Sequence, residues 1–235
     1  LITIGSIGKS LWTAAVDLLY VPECGGCGKG LYGAEKSVCA ECLGALIPCD
    51  HADRPDDNEL FLKFPGRAIL TGAAAGFEFE GKIRELIHAF KYDNRPDVAR
   101  RLGRHWGVSL RRQKLGSRIK LLLPMPLHPQ KERERGYNQA QFLAMGLSDV
   151  LRVPVAARNA LKRIRKTSQQ ALLSRDERWQ NVSDSMRGDA SLAGIEGVTL
   201  VDDVSTTGAT LLAGMDALEA VGVSSVVVLA LASAN

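Results

Sequence analysis

The stretch Val198-Thr-Leu-Val-Asp-Asp-Val-Ser-Thr-Thr-Gly-Ala-Thr210 decides how this chain is read. Its apolar run, Val198–Val201, predicts a strand buried on both faces. That strand delivers two adjacent acids, Asp202 and Asp203, to its carboxyl end. Ser205, Thr206, Thr207, Gly208 and Thr210 follow, small and mostly hydroxylated, before a helix predicted over Ala209–Val221. Amides and hydroxyls in such a loop converge on a phosphate at a helix N-terminus, where unpaired N–H groups concentrate positive charge. Gly208 lacks the Cβ that would hold an anion away. Asp202 and Asp203 are acceptors suited to the vicinal hydroxyls of a ribose above that phosphate. The carboxyl ends of parallel strands are also where α/β sheets bind ligands. Taken alone, an Asp-Asp pair is equally the mark of an ordinary acidic turn.

The rest of the chain alternates strands and helices. Ala68–Phe79 ends in the alternation Phe77-Glu78-Phe79 and predicts a strand, and Ser225–Leu231 predicts another. Ile83, Leu86, Ile87 and Phe90 form one helical stripe. Further helices are predicted over Asp97–Gln113, with Pro96 at the entry, and over Gln139–Leu151. Ile119–Leu123, bounded by Pro124 and Pro126, reads as a buried strand. Ser174 and Glu177 form a capping box that starts a short helix from Arg175 to Asn181. The order implies an α/β fold: a mostly parallel sheet with helices on both faces.

Four of the five cysteines form two pairs, Cys24-Gly-Gly-Cys27 and Cys39-Ala-Glu-Cys42. Two such knuckles present four soft donors to one tetrahedral ion, so Cys24, Cys27, Cys39 and Cys42 are expected to bind a structural zinc with no open position. Gly25, Gly26 and Gly28 suit the knuckle by allowing positive φ and close backbone approach. Two disulfides or idle thiols are the competing readings, and disulfides need an oxidising compartment. Leu1–Tyr20 carries one Lys, one Asp and no small-residue cleavage site, which argues against a secretory signal and for a cytoplasmic protein. Cys49 and His51 read as unrelated side chains, since four sulfurs already fill the shell. Pro48–Asp57, with two prolines and four aspartates, reads as a linker. The expected division is 1–60, an N-terminal helix with the zinc module and linker, and 61–235, the α/β domain.

Composition narrows the function classes. Of 235 residues, 46% are apolar and 24% charged, as in ordinary globular proteins. No apolar run reaches the roughly 18–20 residues of a membrane span. The net charge of +4 hides an asymmetry: 91–180 carries 21 Lys or Arg against seven Asp or Glu, while the remainder is acidic. A basic middle suggests a polyanionic partner, a phosphate-rich small molecule or nucleic acid. A solvated helix surface explains any single Arg in it equally well.

The 198–210 stretch resembles the phosphoribosyl pyrophosphate (PRPP) binding motif of type I phosphoribosyltransferases. Pro124-Met-Pro-Leu-His-Pro129, Arg135-Gly-Tyr-Asn-Gln-Ala140, the pattern Thr167, Gln170, Leu173, Arg178, Asn181, and the double CxxC are together similar to the ComF/GntX family of competence-associated proteins. The resemblance runs from about Leu18 to Leu231. It implies a type I phosphoribosyltransferase-like domain behind a zinc module, holding PRPP with magnesium. A nucleophile would then displace pyrophosphate from C1 of the ribose through an oxocarbenium-like state. Asp202 and Asp203 would be the catalytic acids, and the 205–210 loop would hold the 5-phosphate. The pyrophosphate belongs at Leu127–Gly136, a stretch too charged to pack; Arg135 is the best contact there and Lys131 the second. Superfamily members often strain this loop, which implies a cis peptide at Pro126–Leu127 or Leu127–His128. Ser205 departs from an apolar residue common at that loop position, and Ser185-Met186 from an Ala-Phe pair.

Several residues carry two readings. His128 is either a base or a positioned loop residue, and the flanking prolines favour the latter. His88 reads as surface. Tyr137 and Trp179 either stack on a base or pack, and packing is the commoner role. Arg178 and Asn181 either touch substrate or satisfy a loop. No residue announces the acceptor. Two functions therefore stand: an enzyme transferring a phosphoribosyl group to an unidentified acceptor, or a non-catalytic PRPP sensor or single-stranded-DNA-binding factor in the competence machinery.

Overall fold

The computed structural model describes residues 21–33, 35–164 and 185–234. The helices expected in 1–20 and over Arg175–Asn181, with Arg178, Trp179 and Asn181, lie outside the described residues. The first elements are helix α1, Ala40–Gly44, a short 3-10 turn at Phe61–Lys63, and strand β1, Leu70–Glu78. Helices α2, Lys82–Tyr92, and α3, Pro96–Leu110, follow. Strand β2, Leu121–Pro124, leads to α4, Pro129–Arg135, and α5, Gln139–Leu151. Next come β3, Leu161–Arg163, and β4, Met186–Gly188, then β5, Val198–Ser205, α6, Ala209–Glu219, and β6, Val226–Ser233.

β1, β6, β5 and β2 form, in that order, one sheet whose strand pairs are all parallel. β3 and β4 make a separate antiparallel pair. Period-2 alternation assigns the two faces of the parallel sheet. Val201, Val227, Leu229 and Leu231 pack with Ile83, Leu86, Leu102, Leu143 and Leu147 from α2, α3 and α5. Leu200, Val226, Val228 and Ala230 pack with Leu211, Met215 and Leu218 of α6, and with Leu60 and Phe64. Helices thus cover both faces, which is why β5 and β6 are apolar at nearly every position rather than alternating.

α3 and α5 touch backbone to backbone. A Cβ at Gly146 would lie 2.1 Å from the Arg100 carbonyl oxygen, and one at Gly103 would lie 2.3 Å from that of Leu143. On the same interface Asp149 accepts from Arg100 at 3.0 Å and from Arg104 at 2.6 Å.

Four expectations are revised. β5 runs to Ser205 rather than Val201, because β6 continues alongside and pairs Asp202 with Ala230 and Ser205 with Ser233. Ser205 is therefore a buried strand residue, not a loop residue. The charged stretch after β2 folds into α4, with Pro129 in its first turn and no buried residue. Every peptide bond among the described residues is trans, so neither Pro126–Leu127 nor Leu127–His128 is cis. His128 reaches the extended conformation that a residue before proline prefers (φ −62°, ψ 137°) and caps α4, its Nδ1 accepting from the Gln130 amide at 3.2 Å. Finally, the segment read as a linker is irregular but packed. Asn58 is buried, donates to the carbonyls of Arg54 (2.7 Å) and Ala73 (2.9 Å), and accepts from the amides of Leu60 and Phe61. Buried His51 accepts from the Ala75 amide at Nδ1 (3.2 Å), and its Nε2 lies 2.8 Å from Glu59.

Candidate functional site

The cysteine module sits on α2 and α3. The Sγ atoms of Cys24, Cys27, Cys39 and Cys42 all lie within 4.8 Å of one another, with Cys27 Sγ 3.9 Å from Cys39 Sγ. Four ligands about 2.3 Å from one tetrahedral ion would stand slightly less than 4 Å apart, so the donor set fits zinc. All five cysteines are free thiols. Neither Cys49 nor His51 belongs to the cluster. Burial opposes the Cys24 thiolate, but amide donors from Cys39, Gly26 and Cys27 outweigh it and bring that thiol down to about 7. Only Gly28 of the three knuckle glycines has a positive φ, 71°. Gly25 and Gly26 are needed for closeness instead: a Cβ would lie 2.6 Å from Val98 Cγ2 at the first and 3.0 Å from Leu86 Cδ2 at the second.

At the carboxyl end of β5 the two acids part. Asp203 follows the alternation of Val201 toward α2 and α5 and is buried. Its Oδ1 lies 3.0 Å from Lys91 Nζ, and its Oδ2 accepts from Gln139 Nε2 at 2.7 Å. Gln139 Oε1 in turn accepts from the Arg135 guanidinium, so Arg135, Gln139, Asp203 and Lys91 form one continuous array. Asp202, half-buried, follows Leu200 to the other face, and its Oδ1 accepts from the Asp203 amide at 2.8 Å. Desolvation, then the Asp203 charge, push Asp202 up to about 7 against the pull of Lys91 and Arg163.

Beyond β5, Thr206 and Thr207 are exposed and Gly208 turns left-handed (φ 78°) as the cap of α6. The Thr207 hydroxyl accepts from the Ala209 amide at 3.4 Å. A Cβ at Gly208 would lie 2.8 Å from the Phe64 ring. Glycine is thus required twice here, by φ and by the neighbouring ring.

On the Asp203 side an open cleft of about 590 Å³ is lined by Lys91, Tyr92, Asn94, Lys131, Arg133, Glu134, Arg135 and Gly136. Arg135 lies over the Tyr92 ring at 5.8 Å. Both predicted pyrophosphate residues, Arg135 and Lys131, therefore share one basic cleft. Tyr137 is a packing residue: it is buried, edge-on to Phe142 at 5.5 Å, and donates to the Phe90 carbonyl. His88 is exposed, as read, and tilts against Tyr92 at 4.9 Å.

Lys91, Gln139 and Lys63 are not legible as site residues in the sequence. Lys91 looks like the charged end of an amphipathic helix, Gln139 like a helix-start residue, and Lys63 like the edge of a loop. Arg163 belongs to the basic middle; burial disfavours its charged form, and the charge of Asp202 only partly offsets that.

Fold and site together define a parallel α/β domain with a four-cysteine module that could hold a metal ion and a turn of small, mostly hydroxylated residues after β5. No family model matches the chain. It is 36% identical over 154 residues to Competence protein F of Haemophilus influenzae, covering 63% of this chain and 67% of the relative. It is 32% identical over 136 residues to Competence protein ComFC of Bacillus subtilis, covering 57% of this chain and 47% of the relative. The chain belongs to the ComF family of competence proteins. Among the described residues, no helix is long and apolar enough to cross a membrane.

Proposed function

We propose that the chain is a cytoplasmic phosphoribosyltransferase-like protein that binds PRPP with magnesium and transfers the phosphoribosyl group to an acceptor with release of pyrophosphate. In this reading 1–60 is the metal module with its linker, and 61–235 holds the ligand. One observation carries it. The carboxyl end of β5 runs into a turn of small, mostly hydroxylated residues, Thr206–Thr210, at the start of α6, and on the side of Asp203 lies a basic cleft containing Lys91, Lys131 and Arg135. A ligand that uses both needs an anion at each end and a polyol between them, which is the chemistry of a 1-pyrophosphoryl ribose 5-phosphate. The loop would take the monoester through backbone amides. Arg135 and Lys131 would take the diphosphate, and Lys91 would exchange its Asp203 partner for it. Freed of Lys91, Asp203 would accept from a ribose hydroxyl, with Asp202 on the other side of the sugar.

Magnesium would enter with the ligand. It commonly uses one or two protein carboxylates and fills its remaining octahedral positions with phosphate oxygens and water. Positive charge beside the diphosphate would stabilise it as it leaves.

Titrating PRPP and magnesium into the protein by calorimetry tests binding, and pyrophosphate release across a panel of bases and amines tests transfer. Acceptor-dependent release that disappears in Asp202→Asn is the expected result. Failure of the folded protein to bind PRPP removes the proposal. The exposed cations and Tyr92 of the cleft favour a second reading, a non-catalytic competence factor that binds PRPP or single-stranded DNA. That reading expects salt-sensitive DNA binding and no pyrophosphate release.

A further inference from the structure

We propose that Lys63 is a positioning residue of the phosphate loop, holding its first peptide so that the loop is preset for a sugar 5-phosphate. The inference rests on the reading of Thr206–Thr210 as a monoester site.

Lys63 comes from the segment that precedes β1, 143 residues before the loop. Its Nζ donates to the Thr206 carbonyl at 2.6 Å, to the Ala234 carbonyl at 3.0 Å and to the Ser233 hydroxyl at 3.4 Å. Thr206 follows β5 and Ala234 follows β6, so one ammonium ties the carboxyl ends of two neighbouring parallel strands. Ends of this kind present unpaired carbonyl oxygens, whose negative potential would repel an anion. A cation there offsets it.

The bond to Thr206 also sets direction. In a trans peptide the C=O of one residue and the N–H of the next point oppositely. Fixing the Thr206 carbonyl on Lys63 therefore aims the Thr207 N–H away from Lys63. An amide held in this orientation loses less entropy on meeting an anion than one that must first be ordered.

The support for Lys63 is itself rigid. Asn58 holds the 3-10 turn Phe61–Lys63 through its bonds to Leu60, Phe61 and Ala73, and Phe64 is buried against Gly208. Ser205, at the same end of β5, keeps a buried hydroxyl with no hydrogen-bond partner among the described residues, so this ledge is polar but incompletely paired there. Lys63 itself is half-buried.

The test separates the two ends of the proposed ligand by using ribose 5-phosphate and magnesium pyrophosphate as separate probes, with affinities measured by calorimetry. Lys63→Met is expected to weaken ribose 5-phosphate by about tenfold or more, the range of a lost charge-assisted hydrogen bond, and to leave pyrophosphate within about twofold. Lys63→Arg is expected to recover most of the loss. Lys63→Gln, which keeps a donor but no charge, should fall between, and it stands in if the Met variant does not fold. Unchanged ribose 5-phosphate affinity in folded Lys63→Met overturns the inference and leaves the proposed function standing. Equal weakening of both probes without rescue by Arg makes Lys63 merely structural and also overturns it. If the wild-type protein binds pyrophosphate but not ribose 5-phosphate, the monoester reading of the loop fails and Lys63 falls with it.

Discussion

Asp202 and Asp203 are neighbours in the chain but face opposite sides of the sheet. Asp203 meets Lys91 and Gln139 on the side of α2 and α5, whereas Asp202 turns to the side of Leu200 and Arg163. The split follows from β5 continuing as a paired strand through both acids, since successive strand residues alternate. It gives the two carboxylates different environments and different chemistry. One is ion-paired with Lys91 and hydrogen-bonded by Gln139, while the other is desolvated beside a like charge.

The Lys91–Asp203 pair predicts a stability effect that reverses in a double variant. Lys91→Met leaves the buried Asp203 carboxylate with Gln139 as its side-chain donor, and should cost about 2–3 kcal/mol in urea denaturation. Adding Asp203→Asn removes the uncompensated charge and should recover at least about half of that loss. Simple additivity of the two substitutions would show that the pair is not coupled.

Asp202 predicts a pH-dependent gain. Its folded value, up at about 7, exceeds the roughly 3.9 of an unfolded Asp, so the native state holds a proton that the unfolded chain releases. Stability from this group is therefore fully present below about pH 4 and is lost as pH rises to about 7. Asp202→Asn should raise the melting temperature at pH 8 and leave it nearly unchanged at pH 4. An equal shift at both pH values would contradict the assignment. Because Asp203 and Lys91 act on the same group, the titration belongs to the cluster rather than to one carboxyl.

Loss of one thiolate should remove the metal and loosen the body of the protein. Cys42→Ser is expected to lower bound zinc, measured by elemental analysis, from about one per chain to near zero. The melting temperature should fall with it, because the Gly25–Gly26 knuckle is wedged against Val98 and Leu86 of α3 and α2. Chelation of the wild-type protein should reproduce both changes.

Gly208→Ala combines two penalties at the loop. A φ of 78° costs a non-glycine residue about 1 kcal/mol, and the new methyl meets the Phe64 ring. Denaturation should show a loss of about 1–3 kcal/mol, and ribose 5-phosphate affinity should drop while binding of magnesium pyrophosphate is retained. A stable variant with unaltered affinity would mean that neither the turn nor the ring matters to the loop.

Much of the architecture was legible locally. The stripe Ile83, Leu86, Ile87, Phe90 became the buried side of α2, and Gln139–Leu151 became α5 with the bounds read from its pattern. The apolar runs became β2, β5 and β6, because parallel strands buried on both faces have no other composition. Spacing alone brought the four cysteines together. The helix α4 was missed because a run of charges hides the apolar periodicity on which a helix is recognised, while its capping by His128 before Pro129 was visible only as two prolines.

The sequence by itself determined the sheet, the metal module and the order of acids and small residues after β5, since these depend on side-chain type and short spacing. Only the tertiary structure decided which face each aspartate takes, that Gln139 reaches Asp203 from 64 residues away, and that Lys63 reaches Thr206 from 143 residues away. Those relations are made by strand register and by helices crossing the sheet, so their partners are far apart in the chain and leave no local pattern to read.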